Sequence, residues 1–404
     1  MKKVKFQEEN VSEELFISEG IILEILIRLD SKTLVRSKAV CRNWLNWISE
    51  QSFINNFIRR TKSHPPLISG IVCRYGGEGY FVSTSDDSKD SVVENNVRSF
   101  CGEDNILRFL TAETQGDVSV VDSNNGVLLC ARKPNYELIR SSHKELSWNP
   151  NCYFVCNHVT KQWVPLPESN YFEYTESALL HCYNVDVEGA FAQKTECKVY
   201  CFRKKRPHQL EVEMYSSETG KWDECMDIHY VWNVKEFNCL TLLNKCAYWL
   251  QEDGNVAVCD LEAKAVRGIG PSIMHMFSPK WALHVGVSAG SLYFVDRSKE
   301  YFFVWVLGVE GQLCWHQEIE IRQLEQVAGS RSGMAFKFLG FDPVNYKLHL
   351  VGIGPEYATL FCLDDNGLVF SRAMNKSFFC NCDLKVFPYS LPAWPTCVPF
   401  IKKN

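Results

Sequence analysis

The sequence predicts a multidomain chain: a small N-terminal unit of three helices, followed by a mainly-β domain that forms a β-propeller of roughly six or seven blades. Three observations lead there. Apolar residues recur at helical spacing up to about residue 60, and short strands separated by turn signals take over after it. The joint between the two regimes ends in Pro65 and Pro66, and proline ends a helix because it lacks an N–H and crowds the preceding turn. The β part also repeats itself, at intervals of roughly 45–60 residues, which suits a four-stranded propeller blade. The expected division is 1–14 as a flexible terminus, 15–60 as the helical unit, 61–66 as a linker and 67–400 as the β-domain.

In the helical part, Ile21, Ile22, Ile25, Leu26 and Leu29 recur at i, i+4 spacing after Ser18, a suitable N-cap. Asp30 or Ser31 then caps a second helix carrying Leu34 and Val35. A third stretch holds Val40, Cys41, Trp44, Trp47 and Ile48. Three short helices bury too little surface to be stable alone, so such a unit leans on the rest of the chain or on a partner.

The repeat in the β part has two recurring pieces. One is a strand, a tight turn and a strand opening with Trp. It occurs as Tyr153 to Pro167 and again as Val212 to Trp222, where Asn157, Thr160 and Trp163 match Ser216, Thr219 and Trp222 at one constant offset. Weaker echoes run over 256–266, 302–315 and 360–370. The other piece is a turn followed by an apolar strand, at 125–130, 244–250, 290–295 and 345–351. A β-sandwich also builds hairpins, but it rarely needs this many strands.

Composition bounds the function. Hydrophobic residues make up 46% and charged residues 23%, enough for a large core with an ordinary surface. A formal net charge of -5 gives no global attraction to nucleic acid or an anionic membrane, and neither is expected as a partner. Aromatics reach 13%, which suits pleated surfaces. The 18 cysteines contain no CxxC pair; Cys152/Cys156, Cys197/Cys201 and Cys380/Cys382 are near misses, so neither a zinc site nor a disulfide framework is expected. Most of the cysteines read as small buried hydrophobes in a reducing compartment, cytoplasm and/or nucleus. The first ten residues hold no apolar core of a signal peptide, and no apolar run reaches spanning length.

Other motifs take bland readings. Arg203-Lys-Lys-Arg206 before Pro207 and His208 resembles a nuclear localisation patch, but reads better as a solvated hairpin loop. His181 and His275 read as packing or loop residues. Gly76 to Gly79 lacks the Lys-Ser or Lys-Thr of a phosphate loop, and Asp364-Asp365-Asn366-Gly367 reads as a hairpin turn rather than a calcium loop. No nucleophile elbow or HExxH is present, so no catalytic residue, cofactor or metal is assigned.

The stretch from Ile17 to Trp44 resembles the F-box. The matching positions are Leu23, Glu24, Ile25, Leu26, Arg28, Leu29, Lys32, Leu34, Arg36, Lys38, Val40, Cys41, Arg42 and Trp44, with Trp47 to Ile54 continuing the pattern. Ile17-Ser18 stands where the family opens with Leu-Pro, Asp30 replaces a frequent Pro and Ser37 a frequent Phe. The β-domain resembles the F-box-associated, kelch-like domains of plants. Asp122-Ser-Asn-Asn-Gly-Val-Leu-Leu-Cys130, Tyr153 to Pro167 (with His158 for the usual Pro), Tyr215 to Trp222 and Ser390-Leu-Pro-Ala-Trp394 carry that likeness.

The resemblance implies a non-catalytic, substrate-recognition subunit of a Skp–cullin–F-box ubiquitin ligase. The F-box would dock on a Skp-type adaptor, and through it on a cullin–RING ligase, by Ile17, Ile21, Ile22, Ile25, Leu26, Leu29, Leu34, Val35, Val40, Cys41 and Trp44. The β-domain would hold a target protein that these motifs do not identify. The alternative is an interaction scaffold that works without a ligase.

Overall fold

A computed structural model of the chain describes residues 18–29, 31–62, 69–75, 78–83, 106–114, 118–132, 153–158, 160–169, 177–186, 193–206, 208–223, 226–229, 237–251, 256–269, 284–308, 311–330, 333–343, 345–374 and 385–390. Ile17, Asp30, Gly76, Gly77, Cys152, His275, Cys380, Cys382 and the ending after Ser390 lie outside them.

The N-terminal unit contains four helices rather than three: α1 (Glu19–Leu26), α2 (Ser31–Ser37), α3 (Arg42–Ser49) and α4 (Gln51–Lys62). Ser18 sits at the N-cap of α1 in extended backbone, but its side chain makes no capping bond. Cys41 caps α3, its sulfur accepting from the Trp44 N–H at 3.5 Å. The unforeseen α4 supplies Phe53 and Phe57, which close a core with Leu26, Leu34 and Ile48. Burying each such side chain contributes roughly 1.5–3 kcal/mol gross. With α4, therefore, the unit has an interior of its own.

The rest is a β-propeller. Strands β1 (Ser69–Tyr75) and β2 (Glu78–Ser83) precede a short helix, α5 (Arg108–Thr114). The first blade follows as β3 (Val118–Asn124), β4 (Val127–Arg132), β5 (Tyr153–Asn157) and β6 (Gln162–Pro165). The second has β7 (Ser177–Asp186), β8 (Gln193–Arg206), β9 (Gln209–Ser216) and an outer edge in two pieces, β10 (Lys221–Trp222) and β11 (Met226–His229), both paired with β9. The third holds β12 (Asn238–Leu243), β13 (Cys246–Leu250), β14 (Val256–Asp260) and β15 (Ala265–Ile269). The fourth holds β16 (His284–Ser288), β17 (Ser291–Arg297), β18 (Tyr301–Leu307) and β19 (Leu313–Glu320), and leads through helix α6 (Ile321–Val327) to the fifth. That blade is β20 (Ala335–Phe341), β21 (Leu348–Ile353), β22 (Ala358–Asp364) and β23 (Gly367–Met374). Finally β24 (Lys385–Ser390) pairs with β1, and the order β2-β1-β24 makes a sixth sheet from the two ends of the domain.

Five blades are complete among the described residues, and the three-stranded closing sheet completes the ring. Inner strands β3, β7, β12, β16, β20 and β24 each contact the next, and β24 returns to β3. The repeat explains the blades locally. Trp163 pairs with Cys156 and Trp222 with Tyr215, the same position in two successive blades. In both, a Thr hydroxyl accepts from the N–H two residues on, Gln162 or Lys221, at 3.4 Å. Inner hairpins turn at Asn125-Gly126 (φ 49° and 75°) and Asn244-Lys245 (φ 48° and 62°), the left-handed pair a two-residue hairpin requires. Asp364 accepts from the Asn366 N–H at 2.8 Å, confirming a hairpin turn there. The basic run 203–206 is not a loop, because it lies within β8. There Arg203 and Lys205 both pair with Glu211, and Lys205 also approaches Asp227.

The 122–126 segment ties the first blade to both neighbours. Asp122 accepts from the Leu180 N–H at 2.7 Å and Asn124 from the Cys182 N–H at 3.0 Å, both on β7. Ser123 points the other way and donates to the Pro388 carbonyl on β24. Tyr389 donates to the Gly126 carbonyl at 3.2 Å and lies 3.1 Å from His158 Nδ1, the position where the family carries Pro. Gly340, at φ 135°, lets β20 approach β24, since a Cβ there would stand 2.7 Å from Pro388.

Burial pushes the Asp122 carboxyl up to about 7, against two N–H donors that favour its charged form. An unfolded Asp ionises near about 3.9. Between these values the folded chain holds a proton that the unfolded chain has released. The contribution is therefore complete below the unfolded value and is lost as pH rises through about 7. Asp122→Asn removes that titration. Urea unfolding at pH 5 and pH 8 should show the variant gaining on the parent as pH rises; a difference independent of pH would contradict the assignment.

Candidate functional site

Helical geometry sorts the apolar residues of α1 and the turn that follows it by face. Positions 22, 26 and 29 lie at i, i+4 and i+7, and positions 21 and 25 form a neighbouring row about 100° around the axis. The inward row packs: Leu26 is fully buried, and Ile22 and Leu29 are half-buried against the same core. The outward row does not: Ile21 is 55% exposed and Ile25 is 52% exposed.

The same division continues downstream. Leu34 is fully buried on α2 and Val35 half-buried. Val40 is 63% exposed at the turn into α3. Cys41 is exposed beside it, in extended backbone at φ -159°. Trp44 is half-buried against the core, and Leu45, next to it, is exposed. Ile21, Ile25, Val40 and Leu45 are four of the nine large apolar residues exposed among the described ones, yet they come from a unit of fewer than fifty residues. That concentration exceeds what a water-facing surface of this size needs.

The expected contact set therefore separates. Leu26 and Leu34 are enclosed by the unit's own helices and serve its interior, because the inward face of each helix is where they fall. Ile21, Ile25, Val40 and Cys41 are open to water; Ile22, Leu29, Val35 and Trp44 lie partly open. Ile17 is outside the described residues. Leu45 was not singled out from the sequence, although its place one residue after the core-facing Trp44 puts it on the outward side of α3.

Among the described residues no three His, Cys, Asp or Glu side chains group as metal ligands. Cys197 and Cys201 are both buried on β8, and burial raises both thiols above their ordinary value. Cys130 and Cys156 approach to 3.7 Å between sulfurs across β4 and β5, a contact their separation in sequence conceals, and remain free thiols. His181 stacks on Tyr183 and is a packing residue.

Residues 17–56 match the F-box domain, and residues 105–266 match the family described as F-box protein At3g26010-like, beta-propeller. Over 219 residues the chain is 27% identical to F-box protein At5g07610 of Arabidopsis thaliana, a match covering 50% of this chain and 44% of that protein. F-box protein At5g49610 of the same plant is 24% identical over 266 residues, covering 60% of each. F-box protein At1g67130, also from Arabidopsis thaliana, is 38% identical over 68 residues, which is 17% of this chain and 14% of that one. The chain thus spans about half the length of the first two relatives.

The separation of faces has a direct consequence. Leu26→Ala should destabilise the helical unit by about 2–5 kcal/mol, because it opens a cavity in a closed core. Ile25→Ala, one residue away, should stay within about 0.5 kcal/mol. Denaturant unfolding followed by helical circular dichroism compares the two; equal losses would mean that the inward and outward rows are misassigned.

Proposed function

We propose, on the premise that this chain is an F-box protein with a β-propeller like those of plants, that it is the substrate-recognition subunit of a Skp–cullin–F-box ubiquitin ligase. The observation that carries this reading is the outward apolar row of Ile21 and Ile25, with Val40, Cys41 and Leu45, on a helical unit whose own core is already closed. Apolar side chains left in water on a folded unit favour association with a surface that covers them. A Skp-type adaptor is the partner that an F-box is suited to. Burying four such side chains at roughly 1.5–3 kcal/mol each is enough to compete with an association cost of several kcal/mol.

In this role the chain needs no covalent chemistry. Holding a target beside a ubiquitin-charged enzyme raises the rate by proximity, so the subunit is an adaptor and not itself an enzyme. Target contacts fall to the propeller. Among the described residues its exposed large apolar side chains, Trp315, Val327, Tyr357, Leu368 and Val369, belong to the fourth and fifth blades or the connection between them. Such a ligase works in the cytoplasm or nucleus.

The test is co-purification of full-length chain with a Skp-type adaptor and a cullin. Ile25→Arg combined with Val40→Asp should lower adaptor recovery at least about tenfold, since each places a charge in the covered patch. The propeller should stay folded, as judged by its β-rich circular dichroism. Full adaptor recovery by the double variant would overturn the docking face. Adaptor binding without any cullin in the complex would favour the ligase-independent scaffold.

A further inference from the structure

Eight non-glycine residues among the described ones have φ in the left-handed region. Seven of them sit in turns; Cys239, at φ 52°, sits inside inner strand β12. L residues adopt this conformation rarely, and within a strand it marks a bulge. The ladder confirms one: Asn238 opposes Leu250 and Thr241 opposes Tyr248, which leaves Cys239 and Leu240 to share the position of Trp249. A bulge re-aims a side chain. Here it brings the Cys239 sulfur to 3.3 Å from His284 Nδ1, on the inner strand β16 of the next blade.

The arrangement suits a reactive thiol. Cys239 and His284 are both partly open to solvent. Phe338 stacks on the imidazole with centroids 6.1 Å apart, and Phe341 lies at 6.0 Å, so β20 fixes the ring's orientation. Burial alone would raise the Cys239 thiol. The charge and hydrogen bond of His284, with the Val285 N–H, outweigh it and leave the thiol below its ordinary value. Burial moves Cys182, Cys197, Cys201, Cys259 and Cys362 the opposite way.

We propose that Cys239 and His284 form a thiol modification site that takes a small neutral peroxide. Phe338, Phe341 and Val285 line the pair with apolar surface, which favours an uncharged oxidant over an anionic disulfide. The imidazole takes the thiol proton, and the thiolate sulfur attacks one peroxide oxygen. An S–O bond forms as the O–O bond breaks. The sulfur gives up two electrons and becomes a sulfenic acid. The imidazolium proton passes to the departing oxygen, which leaves as water when the peroxide is hydrogen peroxide.

Full-length chain treated with hydrogen peroxide and dimedone, then analysed by peptide mass spectrometry from pH 5 to 9, tests this. At pH 6.5 Cys239 should be labelled at least about tenfold faster than Cys41 and Cys314, which are more exposed but have no imidazole at hydrogen-bond distance among the described residues. His284→Asn should bring Cys239 down to their rate without changing theirs. If Cys239 in the parent chain reacts no faster than Cys41 and Cys314, the proposal is wrong, and that ranking decides the matter even where the variant does not fold.

Discussion

The pairing of β24 with β1 is the constraint on which the propeller depends. It joins residues 385–390 to residues 69–74 in one antiparallel register, so the last described strand becomes the inner strand of the sheet that β1 and β2 began. Closing a loop of that length costs entropy that grows only as the logarithm of the length. The ladder, the Ser123 bond to Pro388 and the Tyr389 bonds to Gly126 and His158 offset it. Every other blade packs between two neighbours only because this one exists. Remove it, and β20 and β3 each lose the partner against which their apolar faces are set.

The segment 122–126 shows how few residues a ring junction needs. Alternation along β3 sends Asp122 and Asn124 toward one neighbour and Ser123 toward the other. Asn125 and Gly126 then supply the left-handed turn that returns the chain as β4. The Asp122 carboxyl is buried there with backbone N–H groups meeting both of its oxygens, which offsets part of the desolvation cost. The motif reads in sequence as a turn signal, and its larger role between blades depends on contacts 58 and 265 residues away.

Much of the fold was legible because it is periodic. The helical spacing of Ile22 and Leu26, the paired Trp163 and Trp222 hairpins and the Asn-containing turns all reflect local rules, and these elements formed where their patterns placed them, although α1 ends at Leu26, short of Leu29. Two things were not legible. Helix α4 was hidden because residues 51–62 are mostly polar, with Phe53 and Phe57 as its only fully enclosed side chains among those described. Which side of each short helix faces inward was equally hidden, since Ile25 and Leu26 are both aliphatic and adjacent, and only packing against α2, α3 and α4 separates them. The strand character of 203–206 was missed for a related reason: four consecutive cations look solvated until Glu211 and Asp227 are seen on the neighbouring strands.

The two sites use opposite kinds of departure from the ordinary rules. On the helical unit the backbone is regular and the anomaly is in exposure, with aliphatic side chains facing water while the core beneath is complete. That pattern gains free energy only when another surface arrives, so it fits a face for association. At Cys239 the exposure is unremarkable and the anomaly is in the backbone, where a bulged, left-handed residue is held in place by the ladders on either side of it. Such strain persists where surrounding structure over-determines it, and here it aligns a sulfur with an imidazole on a different blade. Inner strands β3 and β20 also shift register ahead of their hairpin turns, so the bulge is a feature these blades share; what sets this one apart is that a non-glycine residue takes the left-handed conformation within it, while the other non-glycine residues of that kind among the described ones sit at turns.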